Sequence, residues 1–204
     1  WGGKISLNGA MLFSCGFIIN FVLGGITGVA LAQVPFDVHV HDTYFVVAHF
    51  HYIVYGGSVF VIFSSIYHWF PKFTGKMLNE NLARFHFIIT FIGFNLCFAP
   101  QHWLGLNGMP RRVAEYDPQF QLINQISSVG ALLMALSTLP FLWNIFQSIL
   151  YGDKAGDNPW DALTPEWLTS SPPPVENWEG EAPLVLEPYG YGKSHSDESQ
   201  EKTQ

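Results

Sequence analysis

Charged side chains are scarce in this sequence: only 12% of the 204 residues are Asp, Glu, Lys or Arg, about half the usual share for a soluble domain. The scarcity is concentrated in four runs without any charge, at residues 5–36, 43–71, 85–110 and 119–152. Each run exceeds the roughly 20 residues that a helix needs to cross a bilayer. A soluble domain is therefore excluded, and so is a signal peptide, whose apolar core is shorter and occurs only once.

Two further absences narrow the class of protein. The two cysteines, Cys15 and Cys97, both lie in apolar runs and form no CxxC pair, so neither a disulfide framework nor a cysteine metal motif is indicated. A basic stripe is also missing, which excludes nucleic acid as a partner. The net charge of −7 arises mainly from acidic residues after Asp153, so it describes a solvated tail and not a binding surface.

The pattern that is present predicts an all-α integral membrane protein. Its four transmembrane helices are expected at residues 10–33, 44–70, 82–104 and 121–151. The second of these is rich in β-branched and aromatic residues, but a lone strand in lipid leaves its backbone groups unpaired, so a helix is favoured. Gly24, Gly25 and Gly28 in the first helix permit close helix contact. We expect residues 1–152 to form this membrane part and residues 153–204 to form a polar, Pro-rich tail that is extended or disordered.

Two histidines in the second predicted helix, His49 and His51, carry the strongest chemical signal. Histidines inside a membrane are unfavourable unless they have partners. Positions i and i+2 on a helix are separated by roughly 200°, so the two imidazoles point to opposite sides and cannot share one metal. Because neutral imidazole is a usual axial ligand of haem iron, this helix is a candidate for one held between two haems. Hydrogen bonding of both rings to neighbouring helices is the alternative.

Polar groups outside the helices give two weaker signals. His41 and Asp42, just before the second helix, are suited to a divalent cation, although their spacing alone favours an ordinary polar helix start with Asp42 as the cap. Arg111 and Arg112 are adjacent on the side of the membrane where the positive-inside rule predicts few cations. Arginine forks suit paired carboxylates such as the two propionates of haem, and an anchor at the lipid headgroups is the alternative.

Several longer motifs resemble those of one protein family. Residues 41–52, HDTYFVVAHFHY, resemble the helix-ten signature of subunit 1 of the haem–copper cytochrome c oxidases. Residues 100–105, PQHWLG, and 108–112, GMPRR, resemble the next signature, and WGG at residues 1–3 resembles the loop before helix nine. The tail, with NPW at residues 158–160, is similar to the tails of bacterial members. The resemblance reaches to about Trp178 and implies the last four helices of a twelve-helix bundle.

The resemblance implies two haems on the second helix, one high-spin and one low-spin, of the haem A type. His49 would be the axial ligand of the high-spin haem at the oxygen site. His51 would be one axial ligand of the low-spin haem, and Tyr44 would lie near that haem. The copper ion of the oxygen site would be bound by residues outside this chain, because the family's copper-binding histidines are not in it.

The resemblance also implies roles for the polar groups on the outer side. His41 and Asp42 would bind magnesium near the haem propionates. Asp37 would belong to the hydrogen-bonded cluster around the propionates of the high-spin haem, and Arg111 and Arg112 would hold propionates. Together these residues would form one polar surface above the haems.

The function implied is that of a terminal respiratory oxidase. Electrons would pass from cytochrome c through the low-spin haem to the high-spin haem and copper, where oxygen is reduced to water with coupled proton pumping. Expected partners are the remainder of subunit 1, subunits 2 and 3, cytochrome c and membrane lipid. The expected location is a bacterial plasma membrane, with the mitochondrial inner membrane as the alternative.

The missing copper ligands lead to an expectation about the chain itself. We expect a fragment or one product of a split gene, which does not reduce oxygen alone. Three other functions stay open: a quinol oxidase of the same superfamily, a membrane haem protein that only relays electrons, and a transporter whose intramembrane histidines relay protons.

Overall fold

The computed structural model of the protein describes residues 5–162, 164–178 and 180, and the regular structure within them is helical. The α-helices are Gly9–Leu31 (α1), Val34–Val40 (α2), Tyr44–Ile53 (α3), Phe60–Thr74 (α4), Glu80–Leu106 (α5) and Gln121–Tyr151 (α6). A π-helical segment, Val54–Val59, joins α3 to α4, and short 3₁₀ turns occur at Pro118–Phe120 and Pro165–Trp167. The described residues contain no strand beyond two isolated bridges, which confirms the all-α prediction.

Helical segments long and apolar enough to cross a membrane are found where the sequence predicts them. They are Gly9–Leu31, Tyr44–Thr74, Glu80–Leu106 and Pro118–Tyr151. The second combines α3, the π-helical segment and α4, so its pitch changes while its backbone groups stay paired within the segment, as lipid requires. Helix α2 was not predicted, because its seven residues are too few to show a helical period.

The chain divides into two compact units, Trp1–Tyr67 with Asn79–Ile145, and His68–Leu78 with Phe146–Gln204. In the first unit α3 contacts both α1 and α5, and α1 also contacts α5. Gly105 of α5 lies so close to the start of α3 that a Cβ there would be 2.6 Å from the Cα of Phe45. Helices in lipid gain attraction mainly from such close packing, so small residues are used at their contacts. The candidate site residues of α3 are positioned by these two neighbouring helices.

In the second unit, Lys72 anchors part of the tail. Its side chain is buried, and Nζ donates hydrogen bonds to the carbonyl oxygens of Asp157 at 3.1 Å, Thr169 at 2.8 Å and Ser170 at 3.3 Å. The same nitrogen lies 4.9 Å from the ring centre of Trp167. A buried ammonium needs acceptors for its donors, and three carbonyl groups supply them here.

Some predicted features fall on residues that the structure does not describe. The loop at Trp1, Gly2 and Gly3 lies outside the described residues, and so do residues 163, 179 and 181–204 of the predicted tail. The described tail residues are irregular apart from the 3₁₀ turn Pro165–Trp167. The extended or disordered character predicted for residues 153–204 therefore stays a prediction.

Replacing Lys72 with Met is expected to release the tail from its anchor, because the variant loses all three donors. A hydrogen bond to a charged group contributes about 1.5–3 kcal/mol, so local opening should become at least about tenfold more frequent. Chymotrypsin digestion of the purified complex should then cut near Trp160 and Trp167 correspondingly faster. Lys76→Met is the matched control, because among the described residues Lys76 Nζ donates to a single carbonyl, that of Gly152 at 3.0 Å. Equal cleavage of the two variants would contradict the anchor.

Candidate functional site

The imidazole of His49 faces helix α1. Its Nδ1 lies 3.0 Å from the carbonyl oxygen of Gly24 and 3.1 Å from Oγ1 of Thr27. Gly28 makes room for the ring, since a Cβ at that position would be 2.8 Å from Cε1 of His49. Because a carbonyl oxygen only accepts, Nδ1 carries a proton, and the neutral form of the ring then has its lone pair on Nε2.

The imidazole of His51 has different neighbours. Its Nδ1 lies 2.8 Å from the carbonyl oxygen of Val47, one turn earlier in α3, so Nδ1 donates there. The ring stacks on Phe98 of α5, with ring centroids 4.1 Å apart and an interplanar angle of 13°. The structure therefore places the two rings, two residues apart, against α1 and α5 respectively.

The donor atoms of both histidines have the form that haem iron requires. Histidines that bind metals almost always donate the other ring N–H to a carbonyl, a carboxylate or water, which fixes the tautomer. In His49 and His51 this partner is a backbone carbonyl, and neither Nε2 takes part in a hydrogen bond within the described part of the chain. In its neutral form, each side chain therefore has Nε2 available as a donor to iron.

Asp42 is the centre of a polar cluster just before α3. Arg111 binds its carboxylate with Nε, 2.8 Å from Oδ1, and with one terminal nitrogen, while the Arg111 backbone N–H donates to the Asp42 carbonyl at 2.9 Å. His41 Nε2 lies 3.7 Å from Oδ2 of Asp42, and His41 Nδ1 lies 3.4 Å from Oδ2 of Asp37. The structure therefore brings four of the predicted site residues into one cluster.

The charge state of this cluster follows from its contacts. The hydrogen bond and the charge of Arg111 lower the pKa of Asp42 below its ordinary 3.8, and the charges of His41 and Arg112 act in the same direction. A lowered pKa means that the pairing is fully present above the ordinary value and is lost as the pH falls through the folded-state value. Asp42 is therefore ionised at neutral pH, although such an exposed pair adds little stability.

Two donor atoms lie where the sequence predicts a magnesium site. The described residues hold no group of three or more His, Cys, Asp or Glu side chains arranged for a metal ion. His41 Nε2 and Asp42 Oδ2 are 3.7 Å apart. Octahedral Mg²⁺, with bonds near 2.1 Å, places neighbouring donors about 3 Å apart and opposite donors about 4 Å apart. The observed separation lies between these two distances, and Oδ1 of Asp42 is already bound by Arg111, so the magnesium site stays a prediction.

The two adjacent arginines have different environments. Arg111 is paired with Asp42, whereas Arg112 is exposed, has a φ of 62° and makes no hydrogen bond or ion pair with any described residue. The loop that carries them is attached to the start of α3, because the Tyr44 N–H donates to the Met109 carbonyl at 3.1 Å. Tyr44 itself packs against the buried cluster that includes Met109.

Sequence reasoning missed several neighbours of the two histidines. Thr27 contacts Nδ1 of His49, and Phe98 stacks on His51. Gly24 and Gly28 were expected only to permit helix contact, yet one accepts a hydrogen bond from His49 and the other leaves space for its ring. The small-residue spacing in α1 was the one signal in the sequence that pointed to this contact.

These features define an all-α integral membrane protein in which one helix directs two imidazoles toward different neighbouring helices. The protein-family profile described as "Cytochrome C and Quinol oxidase polypeptide I" matches residues 1–133. The chain therefore belongs to this family. The resemblance inferred from the sequence motifs is confirmed.

Two curated relatives also show that the chain is similar to this family. The chain is 60% identical over 192 residues to cytochrome c oxidase subunit 1 of Synechocystis sp., covering 94% of this chain and 35% of that protein. It is 57% identical over 199 residues to cytochrome c oxidase subunit 1 of Thermostichus vulcanus, covering 98% of this chain and 36% of that protein. The chain thus spans about a third of the length of the curated relatives it matches.

A solved structure shares the fold. It is a heme-copper terminal oxidase dimer determined by cryo-electron microscopy, with a TM-score of 0.63 and 22% sequence identity. The similarity covers 72% of this chain and 27% of the solved chain. At this level of identity the comparison shows the fold alone.

Proposed function

We propose that the chain is part of the catalytic subunit of a terminal respiratory oxidase that takes electrons from cytochrome c and reduces oxygen to water. The observation that carries this proposal is the pair His49 and His51, each with Nδ1 held by a backbone carbonyl and Nε2 free. Membership in the oxidase family and the relatives named cytochrome c oxidase subunit 1 support it. The activity belongs to the assembled oxidase, of which this chain supplies one part.

In this proposal His49 holds the iron of a high-spin haem and His51 holds that of a low-spin haem, both of the haem A type. The haems, together with a copper ion bound outside this chain, would supply the electron transfers and the oxygen reduction that are coupled to proton pumping. Helix α3 fixes the spacing of the two ligands, since only Phe50 separates them. The Nδ1 hydrogen bonds orient each ring and raise the basicity of its Nε2. Tyr44, on the same helix, would lie near the low-spin haem.

The polar cluster before α3 would receive the haem propionates and magnesium. His41 and Asp42 supply the two magnesium donors described above, and Asp37 lies within 3.4 Å of His41. Arg112, exposed and without an ionic partner among the described residues, is the arginine free to bind a propionate. Arg111 also lies beside this surface, but its guanidinium holds Asp42, so its main contribution would be to fix the magnesium ligand and the loop.

The proposal also assigns partners and a location. The remainder of subunit 1 and subunits 2 and 3 would surround these helices, and cytochrome c would be the electron donor. The relatives reported above are bacterial, which favours a bacterial plasma membrane.

A quinol oxidase is the second candidate, because the matching family description names both kinds of enzyme. Asp42, Tyr44 and the PQHW segment at residues 100–103 favour the cytochrome c type. The test is to purify the assembled complex, measure its haem and copper, and compare oxygen uptake with reduced cytochrome c and with a quinol. We expect both cofactors and uptake with cytochrome c. A complex that contains haem but has neither copper nor oxygen uptake would indicate an electron relay. A complex without haem would indicate a transporter.

Replacing Arg112 with Gln is expected to lower a haem midpoint potential in the assembled complex. Removing a positive charge near the propionates disfavours the reduced, more electron-rich haem. The expected effect is on the order of 1 kcal/mol, or about 40 mV for one electron, for a partly screened charge about 8 Å away. Redox titration measures it. Arg84→Gln, at the other end of the 27-residue helix α5, should leave the potentials unchanged. Unchanged potentials in the Arg112 variant too would count against propionate binding.

A further inference from the structure

Thr27 belongs to a hydrogen-bonded group of three residues, together with His49 and Gly24. Its Oγ1 lies 2.9 Å from the carbonyl oxygen of Gly24, three residues earlier in α1, and 3.1 Å from Nδ1 of His49. A hydroxyl has a single proton, which Thr27 donates to the Gly24 carbonyl, so its lone pairs face His49. The Nδ1–H of His49 therefore has two acceptors, Gly24 O at 3.0 Å and Thr27 Oγ1 at 3.1 Å.

We propose that Thr27 is a positioning residue for His49, whose hydroxyl sets the orientation of the imidazole and its electron-donating strength toward the iron. This inference rests on the proposed role of His49 as a haem ligand. The second acceptor comes from α1, so the ligand strength of His49 depends on the contact between α1 and α3. His51 differs, because its Nδ1 donates to Val47 of its own helix and lacks a side-chain acceptor from a neighbouring helix in the described part of the chain.

The direction of the effect follows from two opposed changes. Without the hydroxyl, His49 loses one of its two acceptors, which weakens the hydrogen bonding of Nδ1–H. The Gly24 carbonyl also loses one of its two side-chain donors, which makes it a better acceptor. Polarisation of one hydrogen bond by the next amounts to roughly 10–30% per bond, less than the loss of an acceptor. The net result is a less polarised Nδ1–H and an Nε2 that donates less strongly to iron.

The experiment compares Thr27→Val with Thr27→Ser in the assembled oxidase. Resonance Raman spectroscopy of the reduced high-spin haem measures the iron–histidine stretching band, which should move to lower frequency in Thr27→Val and stay near the wild-type position in Thr27→Ser. Thr138→Val is the matched control, because Thr138 Oγ1 makes the same kind of bond, to the Ala135 carbonyl at 2.7 Å, on an exposed face of α6. Bands of the low-spin haem should be unchanged in all three variants.

Each other outcome has a definite meaning. An unshifted band in Thr27→Val, or an equal shift in Thr138→Val, overturns the proposal. If Thr27→Val binds no high-spin haem, a normal band in Thr27→Ser supports the hydroxyl, whereas loss in both variants overturns the proposal. His49→Ala separates this inference from the function itself. A high-spin haem that persists in that variant refutes the ligand assignment, whereas its loss there, with an unshifted Thr27→Val band, refutes the role of Thr27 alone.

Discussion

His49→Ala in the assembled oxidase is expected to abolish or scramble the high-spin haem and its carbon monoxide spectrum while leaving the low-spin haem largely intact. His51→Ala should do the reverse, converting the low-spin signal to a high-spin one or losing that haem. The two defects differ because the rings lie against different helices, His49 beside Gly24 and His51 beside Phe98. The oxygen uptake of both variants should fall by more than about 100-fold. Loss of a hydrogen-bond partner of a metal ligand usually lowers activity by up to about 100-fold, and loss of the ligand itself should have a larger effect.

Reduced-minus-oxidised difference spectra, with and without carbon monoxide, measure these losses. His39→Ala is the matched control, because His39 is an exposed histidine on α2 a short distance away in the sequence, and its loss should leave both haem spectra normal. If His49 and His51 are only structural, both variants should assemble less well and retain normal spectra. The same single-haem loss in both variants would also contradict one ligand per haem.

The number and positions of the membrane spans could be predicted because lipid penalises charge and unpaired backbone so strongly that the charge-free runs mark them. The ends were less predictable. The second span was expected to end at residue 70, before Pro71, but the helix continues through Pro71 to Thr74. A proline removes one backbone donor and crowds the carbonyl four residues earlier, but membrane helices tolerate proline where other groups satisfy the freed carbonyl.

The site was predictable where a single helix determines it. The roughly 200° between His49 and His51 depends on helix geometry alone. The identity of each ring's neighbours depends on how α1 and α5 pack against α3, which no local pattern in the sequence reports. The pairing of Asp42 with Arg111, 69 residues apart, is of the same kind. From the sequence, both residues were expected on one side of the membrane, with Asp42 binding magnesium and Arg111 binding a propionate. In the structure the two side chains form an ion pair.

Gly105→Ala is expected to prevent assembly of most of the protein, because the new Cβ would enter the backbone of α3. The Cβ would overlap the backbone nitrogen of Phe45 and lie 2.6 Å from its Cα, whereas carbon atoms in contact are separated by about 3.5–4.0 Å. The two helices would have to separate by about 1 Å. That movement is resisted by the buried side chain of Phe45 and by the hydrogen bond from Tyr44 N–H to the Met109 carbonyl. Overpacking of a side chain alone costs about 1–3 kcal/mol, and a backbone clash should exceed this range.

Gly25→Ala is the matched control for this substitution, because it adds the same methyl group to a membrane helix at a position where no described atom lies within 4 Å. It should leave assembly unchanged or stabilise α1 by up to about 1 kcal/mol, the difference in helix propensity between glycine and alanine. The yield of haem-loaded complex and its rate of thermal inactivation measure both variants. The contact between α3 and α5 predicts a large loss of haem-loaded complex in Gly105→Ala and no loss in Gly25→Ala. Similar yields would mean that this contact is looser in the assembled protein, and the position of His51 against Phe98 would then lose its support.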